Sequence, residues 1–172
     1  MLFWLVALPV LAFDQITKYW VIQNIPLNTT RPAVDFLYPY LRWSHVANTG
    51  AVFGSFQGVG DIFGLLAVVV AIGIVIYNHR LWTPSRALRI GLGMVFAGAI
   101  GNMLDRVFVG HVTDFIDIDL SSIIPLRIAD WYVFNVADMA IITAIIVMGY
   151  LSFFHPEVLE AEKPVAAEEQ HG

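Results

Sequence analysis

The chain of 172 residues contains no cysteine, which excludes disulfides, thiolate nucleophiles and cysteine-ligated metal sites. Charge is scarce too: Asp, Glu, Lys and Arg make up 13% of the residues, about half the usual quarter. All five glutamates (Glu157, Glu160, Glu162, Glu168 and Glu169) lie at the C-terminal end. Their absence elsewhere rules out an H-E-x-x-H zinc-protease helix, and no G-x-S-x motif marks a serine intramembrane protease. It also makes the net charge of −5 a property of the tail, with a nearly neutral body before it. No basic patch points to nucleic acid, so none is expected as a partner. No internal repeat supports an inverted-repeat transporter. The N-terminus lacks both a basic n-region and a small-residue cleavage site, so its apolar run is expected to be a retained span.

What is present is apolar. Hydrophobic residues make up 58% of the chain and the mean hydropathy is +0.72, the composition of an integral membrane protein. A helix crossing a bilayer needs about 20 apolar residues. Four segments qualify, near residues 2–22, 62–78, 87–104 and 131–154. Residues 23–61 form a long connection whose β-branched and aromatic residues alternate with turn formers, predicting short antiparallel strands. Residues 105–130 form a second polar loop. The tail, residues 156–172, is rich in Glu, Ala and Pro and is expected to lack ordered structure.

Arg80, Arg86 and Arg89 crowd the short connection between the second and third spans. By the positive-inside rule that loop is cytoplasmic, which puts both termini inside and both long loops outside. The polar residues of the spans then gather near the outer face: Asp14 and Lys18, then Asn102, Asp105 and Arg106, then Asn135 and Asp138. Asp138 is the only Asp, Glu, Lys or Arg between Trp131 and Phe154. Counted from Trp131, it falls roughly 10 Å below the interface. An ionisable residue inside a span is a functional-site hypothesis by default.

Four stretches could carry chemistry. Asp114 in "GHVTDFID" and Asp138 in "FNVADMA" could form an acid pair. Two carboxylates sharing one site cannot both ionise cheaply, so one keeps a proton while the other can take a proton from water. Taken alone, Asp114 reads more readily as a helix cap or a loop carboxylate in water, and Asp138 has an interhelical hydrogen bond as its alternative. "GAIGNMLDR" offers Gly98 and Gly101 for close approach, Asn102 as a hydrogen-bond donor, and Asp105 with Arg106 as a helix-end pair. In "FDQITK", Asp14 and Lys18 stand four apart on one helix face. "NTGAVFG" places Asn48 and Gly50 in a turn beside Phe53. The same residues leave three rivals open. One is a presenilin-type protease using "GVGD" at 58–61, although Asp61 sits at the edge of a span. Another is a proton or ion relay through Asp14, Lys18 and Asp138. The third is a noncatalytic assembly subunit.

Together, "DQITK", "NTGAVF", "GNMLDR", "VTDF" and "FNVAD" resemble, in order and in register with the spans, the motifs of bacterial lipoprotein signal peptidase (signal peptidase II, aspartic peptidase family A8). The resemblance covers essentially residues 1–155. It implies an all-α polytopic fold of four transmembrane helices with a small extracytoplasmic antiparallel sheet and one short extracytoplasmic helix, expected from "SFQGVGDIF". It implies Asp114 and Asp138 as the catalytic dyad. Asn48, Gly50, Gly98, Asn102, Arg106 and Asn135 become substrate-binding residues, and Asp14, Lys18 and Asp105 supporting ones. The implied substrates are prolipoproteins with a diacylglyceryl-cysteine, cut before that cysteine in a bacterial plasma (inner) membrane, with membrane lipid around them. Globomycin-type inhibitors, no cofactor, no metal and a monomeric enzyme complete the expectation.

Overall fold

The computed structural model describes residues 1–50, 60–80, 85–119 and 133–159. The expected short helix in "SFQGVGDIF", the "GVGD" alternative, Phe53 and Trp131 lie wholly or largely outside that set. Among the described residues there are four long helices: α1 Leu2–Asn24, α2 Gly60–Arg80, α3 Arg86–Phe108 and α4 Val136–Phe154. Three of them, α1, α3 and α4, are long and apolar enough to cross a membrane; the apolar run found in α2, Gly64–Arg80, is shorter. Many large apolar side chains on these helices face outward, among them Leu5, Leu8, Phe13, Leu65, Val69, Ile145 and Ile146. A helix surface of this kind is suited to lipid.

The α3 helix sits at the centre, packing against α1, α2 and α4. It begins on a side-chain cap, the Ser85 hydroxyl accepting from the Leu88 N–H at 3.1 Å. Glycines let its neighbours approach. A Cβ at Gly98 would stand 2.5 Å from the carbonyl oxygen of Ala137 on α4, and one at Gly101 would stand 2.5 Å from the Asp14 carboxylate on α1. Small residues of this kind are how helices associate where no water is present to drive them together.

At one end of the bundle lies a three-stranded antiparallel sheet in the order β1 (Thr30–Pro32), β2 (Leu41–Asn48) and β3 (Val112–Ile118). A shift in register between Trp43 and Val46 brings Val46 opposite Asp114 and Asn48 opposite Val112. Asn48 is thereby the diagonal neighbour of Asp114. A polar ladder crosses the sheet: Thr30 bonds Ser44, Ser44 donates to Asp117, and Arg42 takes Asp117 through two nitrogens and Asp119 through a third. Beneath the sheet, Val21 of α1 and Ile25, the cap at its end, pack on Phe115 of β3, with Trp43, Ile116 and Val136 around them. The buried His45 ring bonds the Ile25 carbonyl at 2.7 Å, tying β2 to the end of α1.

Several sequence expectations need correction. The last span does not begin at 131: α4 starts at Val136 with Asn135 as its cap. Asp138 is therefore in the first helical turn, not two turns into a helix counted from Trp131. Asp114 is not a loop carboxylate in water. It is buried on β3, a strand drawn from the second polar loop, where strands were expected only in the first. The α3 helix runs four residues beyond 104, to Phe108, so Asp105 and Arg106 are intrahelical. The tail is not unstructured from 156: Pro156–Leu159 forms a short helix, α5.

Candidate active site

The two aspartates come from different kinds of element, and one asparagine joins them. Asn135 is the cap of α4. Its side-chain oxygen accepts from the Asp138 N–H at 3.0 Å, and the Asp138 carboxylate reaches back to the Asn135 N–H at 3.4 Å. This is a capping box, which satisfies N–H groups that a helix start otherwise leaves free. The other end of the Asn135 amide donates to Asp114 Oδ1 at 2.7 Å and to Asn102 Oδ1 at 3.1 Å. Asn135 is completely buried.

Each carboxylate has a further amide donor. Asn48 Nδ2 donates to Asp114 Oδ2 at 2.8 Å, and Asn48 Oδ1 accepts from the Gly50 N–H at 2.9 Å. Asn102 Nδ2 donates to Asp138 Oδ1 at 2.7 Å. Burial pushes the Asp114 carboxyl up to about 7, and the neighbouring Asp138 adds to the rise; the hydrogen bonds from Asn48 and Asn135 and the Lys18 charge pull the other way. A pair arranged in this manner can hold one proton and one charge, and so can act as acid and base on a water molecule.

Behind the pair lies a buried polar layer. Lys18 Nζ contacts Asp14 Oδ2 at 2.9 Å, Asp105 Oδ2 at 3.2 Å and Asn102 Oδ1 at 2.9 Å. The second oxygen of Asp14 accepts from the Ala137 N–H at 2.9 Å, and Asp105 accepts from the Thr113 N–H, next to Asp114, at 2.8 Å. Asp14 and Lys18 do share one helix face, as their spacing predicted. Gln15, which sequence reasoning passed over, donates to Asp14, to the Gly101 carbonyl and to Asp105. Its signal was a third polar side chain next to Asp14 in an apolar span. Arg106 donates to the Gly50 carbonyl at 3.0 Å and to the Asn102 carbonyl at 3.2 Å, tying the turn after β2 to α3.

The structure thus gathers Asp114, Asp138, Asn48, Asn102 and Asn135 into one cluster, with Asp14, Lys18 and Asp105 supporting it and Gly50 and Arg106 at its edge. Gly98 stands apart, in the α3–α4 packing contact against Ala137 and Ile141. Among the described residues, no three acidic or histidine side chains converge as metal ligands.

Residues 6–154 match the family model described as Signal peptidase (SPase) II. The chain is 36% identical over 155 residues to the lipoprotein signal peptidase of Synechocystis sp., a match covering 89% of this chain and 88% of that protein. It is 38% identical over 153 residues to that of Geobacillus thermodenitrificans (89% and 90%), and 34% identical over 148 residues to that of Bacillus subtilis (86% and 90%). Among solved structures, a bacterial membrane enzyme determined by the in meso method at 2.3 Å resolution superposes with a TM-score of 0.72 at 26% identity, covering 94% of this chain and 92% of that one.

Proposed function

The chain belongs to the signal peptidase II family, and from that premise we propose that it is a membrane aspartic endopeptidase acting on diacylglyceryl-modified prolipoproteins. It removes the signal peptide by cutting before the lipid-modified cysteine. The relatives are named lipoprotein signal peptidases, and a buried acid pair can perform such a cut. The observation that carries the mechanism is Asn135, which bonds Asp114 through its amide nitrogen and Asp138 through its oxygen.

In this mechanism the ionised member of the pair takes a proton from water as it attacks the scissile carbonyl. The protonated member hydrogen-bonds that carbonyl and then protonates the leaving amine. Asn48, Asn102 and Asn135 hold the carboxylates, and Gly50 and Arg106 border the substrate groove. The acids lie where α1, α3 and α4 meet the sheet. A signal peptide is an apolar helix whose cleavage bond lies near the outer face, so a site at that end meets it there. A transmembrane relay would instead need ionisable groups spread on both sides of the midplane.

We take α2 as the fourth span, residues 1–155 as the peptidase domain and 156–172 as a cytoplasmic acidic tail. Both termini face the cytoplasm, with the sheet on the outer side of the bacterial plasma membrane. The enzyme acts as a monomer and is blocked by globomycin-type inhibitors. The test uses purified protein in lipid nanodiscs and a fluorogenic diacylglyceryl-cysteine peptide. Asp114→Asn and Asp138→Asn should each lower turnover by at least about 10³-fold while melting cooperatively. Full cleavage by either folded variant overturns the dyad, and equal cleavage of the peptide without its lipid overturns the substrate assignment.

A further inference from the structure

We infer that Lys18 is a positioning residue for Asp138, acting through the side-chain amide of Asn102. The inference rests on the reading of Asp138 as a reacting carboxylate and adds a residue that touches neither aspartate of the pair.

Lys18 is 2% exposed, and a buried cation is destabilising unless every N–H finds an acceptor. Its Nζ has three protons and no lone pair. The three acceptors around it are Asp14 Oδ2, Asp105 Oδ2 and Asn102 Oδ1. Two carboxylates already balance its charge, so the third contact does something other than neutralise it. Because an ammonium cannot accept, the face of Asn102 turned to Lys18 must be its oxygen. The Asn135 amide donates to the same oxygen. With Oδ1 held by two donors, Nδ2 is left to point at Asp138 Oδ1, 2.7 Å away. Flipping the amide would set its NH2 against both donors and turn a lone-pair face on the carboxylate.

Lys18 therefore guarantees a donor at Oδ1 of Asp138. The backbone N–H of Asn135 lies farther from Oδ2, at 3.4 Å, so Oδ2 is the oxygen freer to exchange a proton. The same ammonium reaches Asp105, which accepts the N–H of Thr113 beside Asp114. One cation on α1 is thus linked to both strand and helix.

The test is a double-mutant cycle in nanodiscs with the lipidated peptide: Lys18→Met, Asn102→Ala and the double variant. Lys18→Met should lower kcat on the order of a hundredfold with KM little changed. Asn102→Ala should do the same, and the double variant should be no worse than Asn102→Ala alone. Lys18→Arg, which keeps the donors, should recover part of the loss. A wild-type kcat in Lys18→Met, or losses that multiply in the double variant, overturns the inference. If Lys18→Met does not fold, Asn102→Asp decides: it keeps an oxygen toward Lys18 but offers no N–H to Asp138. Lost kcat with an unchanged melting temperature supports the inference, and unchanged kcat overturns it. Asp138→Asn is assayed alongside. Retained turnover there removes the underlying reading, whereas a dead Asp138→Asn with a fully active Lys18→Met removes only the role of Lys18.

Discussion

The Asp14 carboxylate on α1 accepts the backbone N–H of Ala137 on α4 at 2.9 Å, across 123 residues of sequence. The first turn of α4 thus takes a cap from another helix in addition to its own Asn135. The same carboxylate pairs with Lys18. Removing it leaves a buried ammonium short of one acceptor and a helix N–H without a partner. Asp14→Ala should destabilise the protein by about 3–5 kcal/mol, read from thermal or denaturant unfolding in detergent. Asp14→Asn, which retains an acceptor for Ala137, should cost less. Equal losses for the two would place the whole effect in the ion pair.

Asn135 has two separable jobs, one as a helix cap and one as a donor to Asp114. Asn135→Ser preserves a cap oxygen but cannot reach Asp114. Its stability should change by at most about 1 kcal/mol, while kcat falls on the order of a hundredfold. Asn135→Ala should lose both. The paired measurement is a melting temperature beside a turnover rate. If Asn135→Ser keeps full turnover, the donation to Asp114 does not matter to the reaction.

Asp114 also makes stability depend on pH. Its ordinary value is 3.8, and burial followed by the nearby Asp138 raises it to about 7 in the fold. Between those values the native chain holds a proton that the unfolded chain releases. The contribution of this group is therefore complete below about pH 4 and is lost as pH rises toward 7, at no more than about 1.4 kcal/mol per pH unit. Unfolding of wild type and Asp114→Asn across that range isolates it: the wild-type advantage should shrink as pH rises. A constant difference would contradict the raised value.

The absence of cysteine makes topology directly measurable. A single cysteine at Phe36, 82% exposed in the turn between β1 and β2, should react with an impermeant maleimide in intact spheroplasts. One at Arg80, at the end of α2, should react only after lysis. The reverse pattern would invert the proposed orientation.

The helices were legible because lipid-facing segments are long apolar runs, and the motif residues were legible because polar groups stand out within them. The position of Asp138 in its helix was harder to read. The pattern N-x-x-D at 135–138 is a capping signal, but it lies in an apolar stretch that reads as one unbroken span from Trp131. The strand bearing Asp114 was obscured for a related reason. Asp114 and Asp117 interrupt the β-branched residues of "VTDFIDI", Asp119 follows directly, and the last two of these acids are balanced by Arg42 on a strand 75 and 77 residues earlier. The contacts from Asp14 to Ala137 and from Lys18 to Asn102 depend on how α1 is rotated against α3 and α4. No local pattern encodes that rotation.

Asp138 enters on the last of the long helices described; its cap, Asn135, joins it to β3 and α3, and the Ala137 N–H joins the same turn to Asp14 of α1. The proposed acid pair therefore does not exist in a partly synthesised chain. With three helices inserted and the sheet formed, Asp114 would still lack both Asn135 and its acid partner. On the proposed mechanism such a nascent chain cannot cut, and the pair is complete only when α4 docks. A protease that shares its membrane with every other newly made chain is in this way kept latent until its own assembly is complete.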